Sequence, residues 1–281
     1  QYMLFFTQKG KCFWMRVYEI PEGSRTTKGR AIQNLINIEQ DDRVKAFICT
    51  QDLKDEEYIN SHYVIMATKK GQVKKTSLEK YSRPRANGIN GITIKDGDEL
   101  LEARLTNGNS QILLAVKSGK AIRFEESKTR PMGRSASGVR GITLANEQDE
   151  VVGMVAVNDM DANILVVSEN GFGKRSSLDD YRTTNRGGKG VKTISVTEKT
   201  GALVTLKSVT DLDDLMIINK SGIAIRMAVS DLRVMGRATQ GVKLINIKGN
   251  DSIAAVAKTM KDDEEVEDIS DIDVEDGTII E

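Results

Sequence analysis

Glycines at a fixed spacing constrain this chain more than any other feature. Turn-like stretches recur as QKGK at Gly10, KKGQ at Gly71, KSGK at Gly119, ENGF at Gly171 and KSGI at Gly222. A second glycine follows at Gly29, Gly88, Gly138, Gly190 and Gly241, 19 residues after the first in every unit except the second, where the gap is 17. The distance between units settles at 50 to 52 residues. An internal period of this length marks a row of supersecondary units, none of which can bury its apolar surface without a neighbour.

Each unit has the pattern of strands. SQILLAVKSGKAIRF and DDLMIINKSGIAIRM are apolar, partly β-branched runs split by a Ser-Gly turn, in which glycine supplies the positive φ of a hairpin. After the second glycine come GVRGITL, GVKTISV and GVKLINI, and then another apolar run such as EVVGMVAV or ALVTLKSV. Four short antiparallel strands in about 50 residues predict an all-β, propeller-like array, with five units visible. Only three prolines and no sustained helical period appear, which argues against a helical repeat.

The boundaries follow from charge. The net charge is zero, yet from Lys261 onward there are 11 acidic residues and one basic, leaving 40 basic against 30 acidic in residues 1–260. The array is expected to occupy 1–260 and to be basic, with an acidic, disordered tail over 261–281. A basic body predicts a polyanionic partner, and the tail is a candidate competitor for the same surface.

Basic residues also recur in register. Four residues before the second glycine stand Arg25, Arg134, Arg186 and Arg237, with Arg85 in nearly that place in the shorter unit. Four after the first glycine come Lys75, Arg123, Arg175 and Arg226, and eleven after it Arg130, Arg182 and Arg233. Equivalent positions in a radial array point the same way, so these side chains are expected to line the rim and to hold a curved phosphate backbone without reading bases. Aromatic residues make up only 5 %, which favours double-stranded DNA over stacked single strands. A protein-docking propeller is the alternative; it would use a groove on the disc face and be indifferent to salt.

Catalytic readings find little support. The run NRGGKG, residues 185–190, lacks the Ser or Thr that a nucleotide-binding Walker loop needs after its lysine, since Gly190 and Val191 follow Lys189. It reads as a mobile turn or as a backbone-gripping loop of Arg186, Gly187, Gly188, Lys189 and Gly190. Cys12, Cys49 and His62 are too few for a disulfide framework or a four-ligand zinc site, and a reducing cytoplasm is the expected setting. One histidine without a nucleophile motif supports no hydrolase. No apolar run is long enough to span a bilayer.

MATKKGQVKKTSLEKY, GRSASGVRGITL, SENGFGKRSSLDDY and VMGRATQGVKLINI, in this order and before an acidic tail, closely resemble the C-terminal domain of the bacterial DNA gyrase A subunit, with the topoisomerase IV counterpart as near relative. The resemblance covers nearly all of residues 1–260. It implies a six-bladed β-pinwheel whose blades exchange strands and whose rim wraps duplex DNA, so that strand passage by the parent enzyme introduces negative supercoils. The topoisomerase IV alternative would bend DNA with less chiral wrapping. The resemblance further implies a cytoplasmic, chromosome-associated protein. Its partners are the catalytic N-terminal part of the same polypeptide and, in a heterotetramer, the gyrase B protein. No membrane partner is implied, and the domain alone is expected to be monomeric. No cofactor or metal is implied here, ATP and Mg being bound elsewhere in the holoenzyme. The family's catalytic tyrosine lies in the N-terminal part, so none of Tyr2, Tyr18, Tyr58, Tyr63, Tyr81 or Tyr181 takes that role. One departure matters: Thr184 and Asn185 stand where the family's Gln-Arg-Arg-Gly-Gly-Lys-Gly box has Gln and Arg. The 186–190 loop is therefore a degenerate counterpart, and the strict box is expected upstream of Gln1, which is no natural initiator.

Overall fold

The computed structural model describes residues 1–23, 28–247, 249 and 251–260. The first unit contributes β1 (Tyr2–Thr7), β2 (Lys11–Arg16) and β3 (Val44–Thr50). A short helix α1 (Glu56–Ser61), capped by the Asp55 carboxylate, leads into the second unit: β4 (Tyr63–Thr68), β5 (Gln72–Ser77), β6 (Ile89–Asn90) and β7 (Leu100–Thr106). The third holds β8 (Gln111–Val116), β9 (Lys120–Glu125), β10 (Val139–Arg140) and β11 (Val151–Val157). The fourth holds β12 (Asn163–Ser168), β13 (Phe172–Ser177), β14 (Val191–Lys192) and β15 (Leu203–Val209). The fifth holds β16 (Asp213–Asn219), β17 (Ala224–Ala228), β18 (Val242–Lys243) and β19 (Ile253–Met260).

The sheets do not coincide with the units. Their strand orders are β3-β1-β2-β6, β7-β4-β5-β10, β11-β8-β9-β14, β15-β12-β13-β18 and β19-β16-β17. In the first four sheets the outermost strand is therefore lent by the following unit, and the fifth sheet has three strands among the described residues. The five blades form a β-propeller. Residues of all five innermost strands, among them Lys45, Arg104, Val155, Lys207 and Val256, line a central cavity of about 790 Å³.

Close backbone approach makes the second glycine obligatory where a strand is lent. Gly138 has φ +89°, and a Cβ on it would lie 2.5 Å from the Val73 carbonyl oxygen; Gly190 meets the Ala121 oxygen at the same distance. No L-residue fits such a position without moving backbone. Gly29 differs, with open space around it.

The core lies between blades. Leu4 and Phe6 of the first blade pack with Val64 and Met66 of the second, and Leu165 and Val167 of the fourth with Leu215 and Ile217 of the fifth. Two covered faces explain why β8 and β12 are continuous apolar runs, since alternation appears only when one face meets water. The first blade's outer face, with Phe5, Phe13 and Met15, is covered by Ile36 and Ile38 of its own loop.

Candidate nucleic-acid interface

The exchanged strands and the loops before them form the outer edge of each blade, and the cations sit there in three classes. Arg130, Arg182 and Arg233 are exposed, as are Arg85 and Lys189. Arg134, Arg186 and Arg237 are half-buried. Two of these also staple neighbouring loops. Arg186 donates from Nε to the Lys128 carbonyl (3.1 Å) and from Nη1 to that of Arg140 (3.0 Å). Arg237 does the same to Asp180 (2.9 Å) and Lys192 (2.7 Å). Arg25 lies outside the described residues, as does the acidic tail.

The third class corrects the expected rim belt. Lys75, Arg123 and Arg175 are buried, because their side chains reach from the second strand of one blade to carbonyls or carboxylates contributed largely by the next unit. Arg123 donates from Nη1 to the Leu178 and Tyr181 carbonyls (2.9 and 3.2 Å) and from Nε to Gln111 (3.1 Å). Burial lowers its pKa, against the opposing field of Asp179. Arg175 donates to the Leu232 carbonyl and pairs with Asp211. The Lys75 ammonium stands 3.6 Å from Glu126 and 4.7 Å from the Tyr63 ring centroid. These are inter-blade fasteners, and buried donors to several carbonyls contribute through the cost of leaving those oxygens unpaired. Arg226, in the last unit, is exposed and pairs with Asp214 at 2.7 Å.

Sequence reasoning missed three further rim cations. Arg140, Lys192 and Lys243 occupy the second position of three lent strands and are exposed. Their signal was the repeated Gly-Val-Arg/Lys, which marks a strand whose side chains alternate inward and outward. Lys192 stands opposite Lys120 in the ladder, doubling the charge there.

The box-like loop of residues 186–190 is built against the preceding unit. The Gly187 amide donates to Gly141 (2.6 Å), and Thr143 donates from its amide to Gly188 (2.9 Å) and from its hydroxyl to Gly187 (2.7 Å). Arg123, Arg182, Gly188, Lys189 and Gly190 line a cavity of about 240 Å³ beside it. Among the described residues no group of His, Cys, Asp and Glu is placed to hold a metal ion, and no helix is long and apolar enough to cross a membrane.

Fold and rim together define a strand-exchanging β-propeller with a cationic outer edge. The sequence profile of the family described as DNA gyrase C-terminal domain, beta-propeller, matches residues 1–51, 62–107, 111–158, 162–210 and 213–260, one match per blade, and the chain belongs to this family. It is 44 % identical over 280 residues to the DNA gyrase A subunit of Staphylococcus aureus (strain MRSA252), covering 99 % of this chain and 31 % of that protein. Identity to the DNA gyrase A subunit of Chlamydia muridarum is 42 % over 282 residues, covering 100 % and 33 %. The chain thus spans about a third of the length of these curated relatives. Among solved structures it resembles the C-terminal domain of DNA topoisomerase IV, with TM-score 0.82 at 26 % identity over 92 % of this chain and 79 % of that one. A DNA gyrase A C-terminal domain superposes with TM-score 0.78 at 23 % identity, covering 92 % and 82 %.

Proposed function

We propose that this chain is a non-catalytic module that wraps double-stranded DNA around its rim on behalf of a gyrase-type topoisomerase. The observation that carries the reading is the recurrence of exposed cations on the outer edges of successive blades: Arg130, Arg182 and Arg233 in the loops, and Arg140, Lys192 and Lys243 on the lent strands. Bending a short duplex by 40–90° costs on the order of 1–6 kcal/mol, so several phosphate contacts must act together. Each contact releases counterions, so that affinity depends steeply on salt. In this reading the wrap presents a second DNA segment to the catalytic part of the same polypeptide and to the gyrase B protein. ATP, Mg and the catalytic tyrosine act there, in the cytoplasm and on the chromosome. The acidic residues 262–281 compete with DNA for the rim, and their deletion raises affinity at low salt.

Two measurements test this. Affinity for duplex DNA is expected to fall by roughly three orders of magnitude between about 50 and about 200 mM salt. A salt-insensitive affinity would support the protein-docking alternative. Reversing charge at Arg130, Arg182 and Arg233 together is expected to abolish the writhe trapped in nicked, religated circles before it abolishes binding. A triple variant that traps writhe like the parent chain defeats the proposal, whereas weak, achiral bending by the parent chain itself points to topoisomerase IV-type behaviour.

A further inference from the structure

The blades are of two kinds. Three residues after the turn glycine the second and fourth blades carry Lys74 and Lys174, where the first, third and fifth carry Phe13, Ile122 and Ile225. Ten residues after the same glycine the alternation recurs, with Tyr81 and Tyr181 against Ile20, Thr129 and Leu232. Both lysines are 0 % exposed. The Lys74 ammonium donates to the Gly91 carbonyl (2.5 Å) and to that of Arg134 (2.6 Å), and the Tyr81 hydroxyl donates to the same Gly91 oxygen (3.1 Å). The Lys174 ammonium donates to the Gly236 carbonyl (2.7 Å) and the Ser176 hydroxyl (3.2 Å), while Tyr181 bonds Thr193 at 2.5 Å.

An ammonium without a carboxylate partner is costly to bury, and apolar residues occupy the same place in three blades of this same chain. Neither lysine is ion-paired among the described residues. What distinguishes them is their target. Arg134 and Gly236 belong to the rim loop of the following blade, and both loops read Met-Gly-Arg, at Met132-Gly133-Arg134 and Met235-Gly236-Arg237. The intervening loop, Asn185-Arg186-Gly187-Gly188-Lys189, lies over Ile122.

We infer that Lys74 and Lys174 are positioning residues: each clamps the rim loop of the next blade and so sets where Arg134 and Arg237 stand against a DNA phosphate. The consequence for DNA rests on the proposed function; the clamp itself is a property of the free protein. The rim then alternates loops held from beneath by a buried ammonium with one held instead by Arg186 and Thr143. The groups facing Lys74 are Arg134 and Tyr81, and those facing Lys174 are Asp180, Arg237, Tyr181 and Ser176. Burial lowers the pKa of Lys74 to about 7 and that of Lys174 to about 8, with Arg134 and Arg237 pushing the same way and Asp180 opposing. A phosphate over the loop favours the ammonium form, so DNA binding draws protons onto these two groups.

The test uses the full chain with Lys74→Met and Lys174→Met, which keep side-chain length, and with Lys74→Ile and Lys174→Ile, which import the residue of the third and fifth blades. Without DNA, amide hydrogen exchange over 133–138 is expected to quicken roughly tenfold in the Lys74 variants and over 236–241 in the Lys174 variants, with 185–190 unchanged. Duplex affinity of the parent chain is expected to weaken several-fold from about pH 6 to about pH 9, and that slope flattens in the double Met variant. Unchanged exchange in folded variants, or equal loosening of 185–190, overturns the clamp. Where a variant does not fold, the parent chain decides: loop protection that is the same at both pH values, after correction for intrinsic rates, also overturns it. A chain that shows the exchange pattern but binds no duplex refutes the DNA reading and leaves the clamp standing.

Discussion

The first and fifth blades end the array differently. The first has four strands, because the second unit lends it β6, and its outer face is covered by Ile36 and Ile38 from its own loop. The fifth has three among the described residues, its edge strand β17 carries the exposed Ala224 and Arg226, and Met216 and Ile218 on its outer face are only half-buried. Ile223 beside that edge is 59 % exposed. Strand lending has a direction, from each unit to the one before it. Among the described residues no strand is lent to β17, and an unpaired, partly apolar edge is a template for another strand. The expected six-bladed ring would supply one there.

Substitutions at the lending glycines give the largest contrast. Gly138→Val and Gly190→Val place a Cβ against a carbonyl oxygen at positive φ, and each is expected to cost about 3 kcal/mol or more, or to prevent folding. Gly29→Val, in open space, should stay within about 0.5 kcal/mol. Denaturant midpoints read both. An equal effect at all three sites would mean that the first unit is built like the others. Core truncation comes next. Ile217→Ala, on the fifth blade's buried face, should cost about 2–5 kcal/mol, whereas Ile218→Ala on its outer face should cost about 1 kcal/mol.

Third are the fasteners. Arg123→Met leaves the Leu178 and Tyr181 carbonyls without their donor and should cost about 2 kcal/mol by the same measurement. Arg226→Met, at the equivalent site of the last unit, takes the cationic partner from the buried Asp214 carboxylate but leaves no inter-blade carbonyls stranded, and should cost about 1 kcal/mol. If the two variants unfold alike, the difference between inner and terminal fasteners is wrong.

These pairs also show how far the sequence could be read. Turn glycines and split apolar runs locate every hairpin, since glycine at positive φ and β-branched runs are local properties. Strand lending came only with the family resemblance, because a two-residue strand such as Val191–Lys192 has no pattern of its own. Arg123 and Arg182 are the same residue type at repeating positions, yet one is buried and the other exposed. What separates them is whether the next unit brings carbonyls within reach, a tertiary fact. Lys74 and Lys174 carry no signal for the same reason: nothing within VKK and GKR distinguishes a buried lysine from a solvated one. The recurrence of arginine in register marks, at Arg123 and Arg175, an interface between blades.

The finest test concerns pH, and its sign follows from the direction of the two lysine shifts. Both folded pKa values, about 7 for Lys74 and about 8 for Lys174, lie below the 10.5 of an unburied lysine. Between those limits the unfolded chain holds more protons than the folded one, so stability rises with pH across this window and levels off near 10.5. Below about pH 7 both states are protonated and the lysines are at their most costly. Lys74→Met and Lys174→Met together should remove this rise in unfolding experiments at a series of pH values. The two sites should also differ. Lys74 clamps a loop whose lent strand is bonded onward, since Arg186 holds the Arg140 carbonyl, whereas the loop clamped by Lys174 belongs to the last unit, with no following unit among the described residues to hold its Lys243. Lys174→Met is therefore expected to loosen residues 236–241 more than Lys74→Met loosens 133–138. A reversed order would mean that the clamp matters most where a loop is already held from both sides, and the open fifth blade would then be the more rigid end.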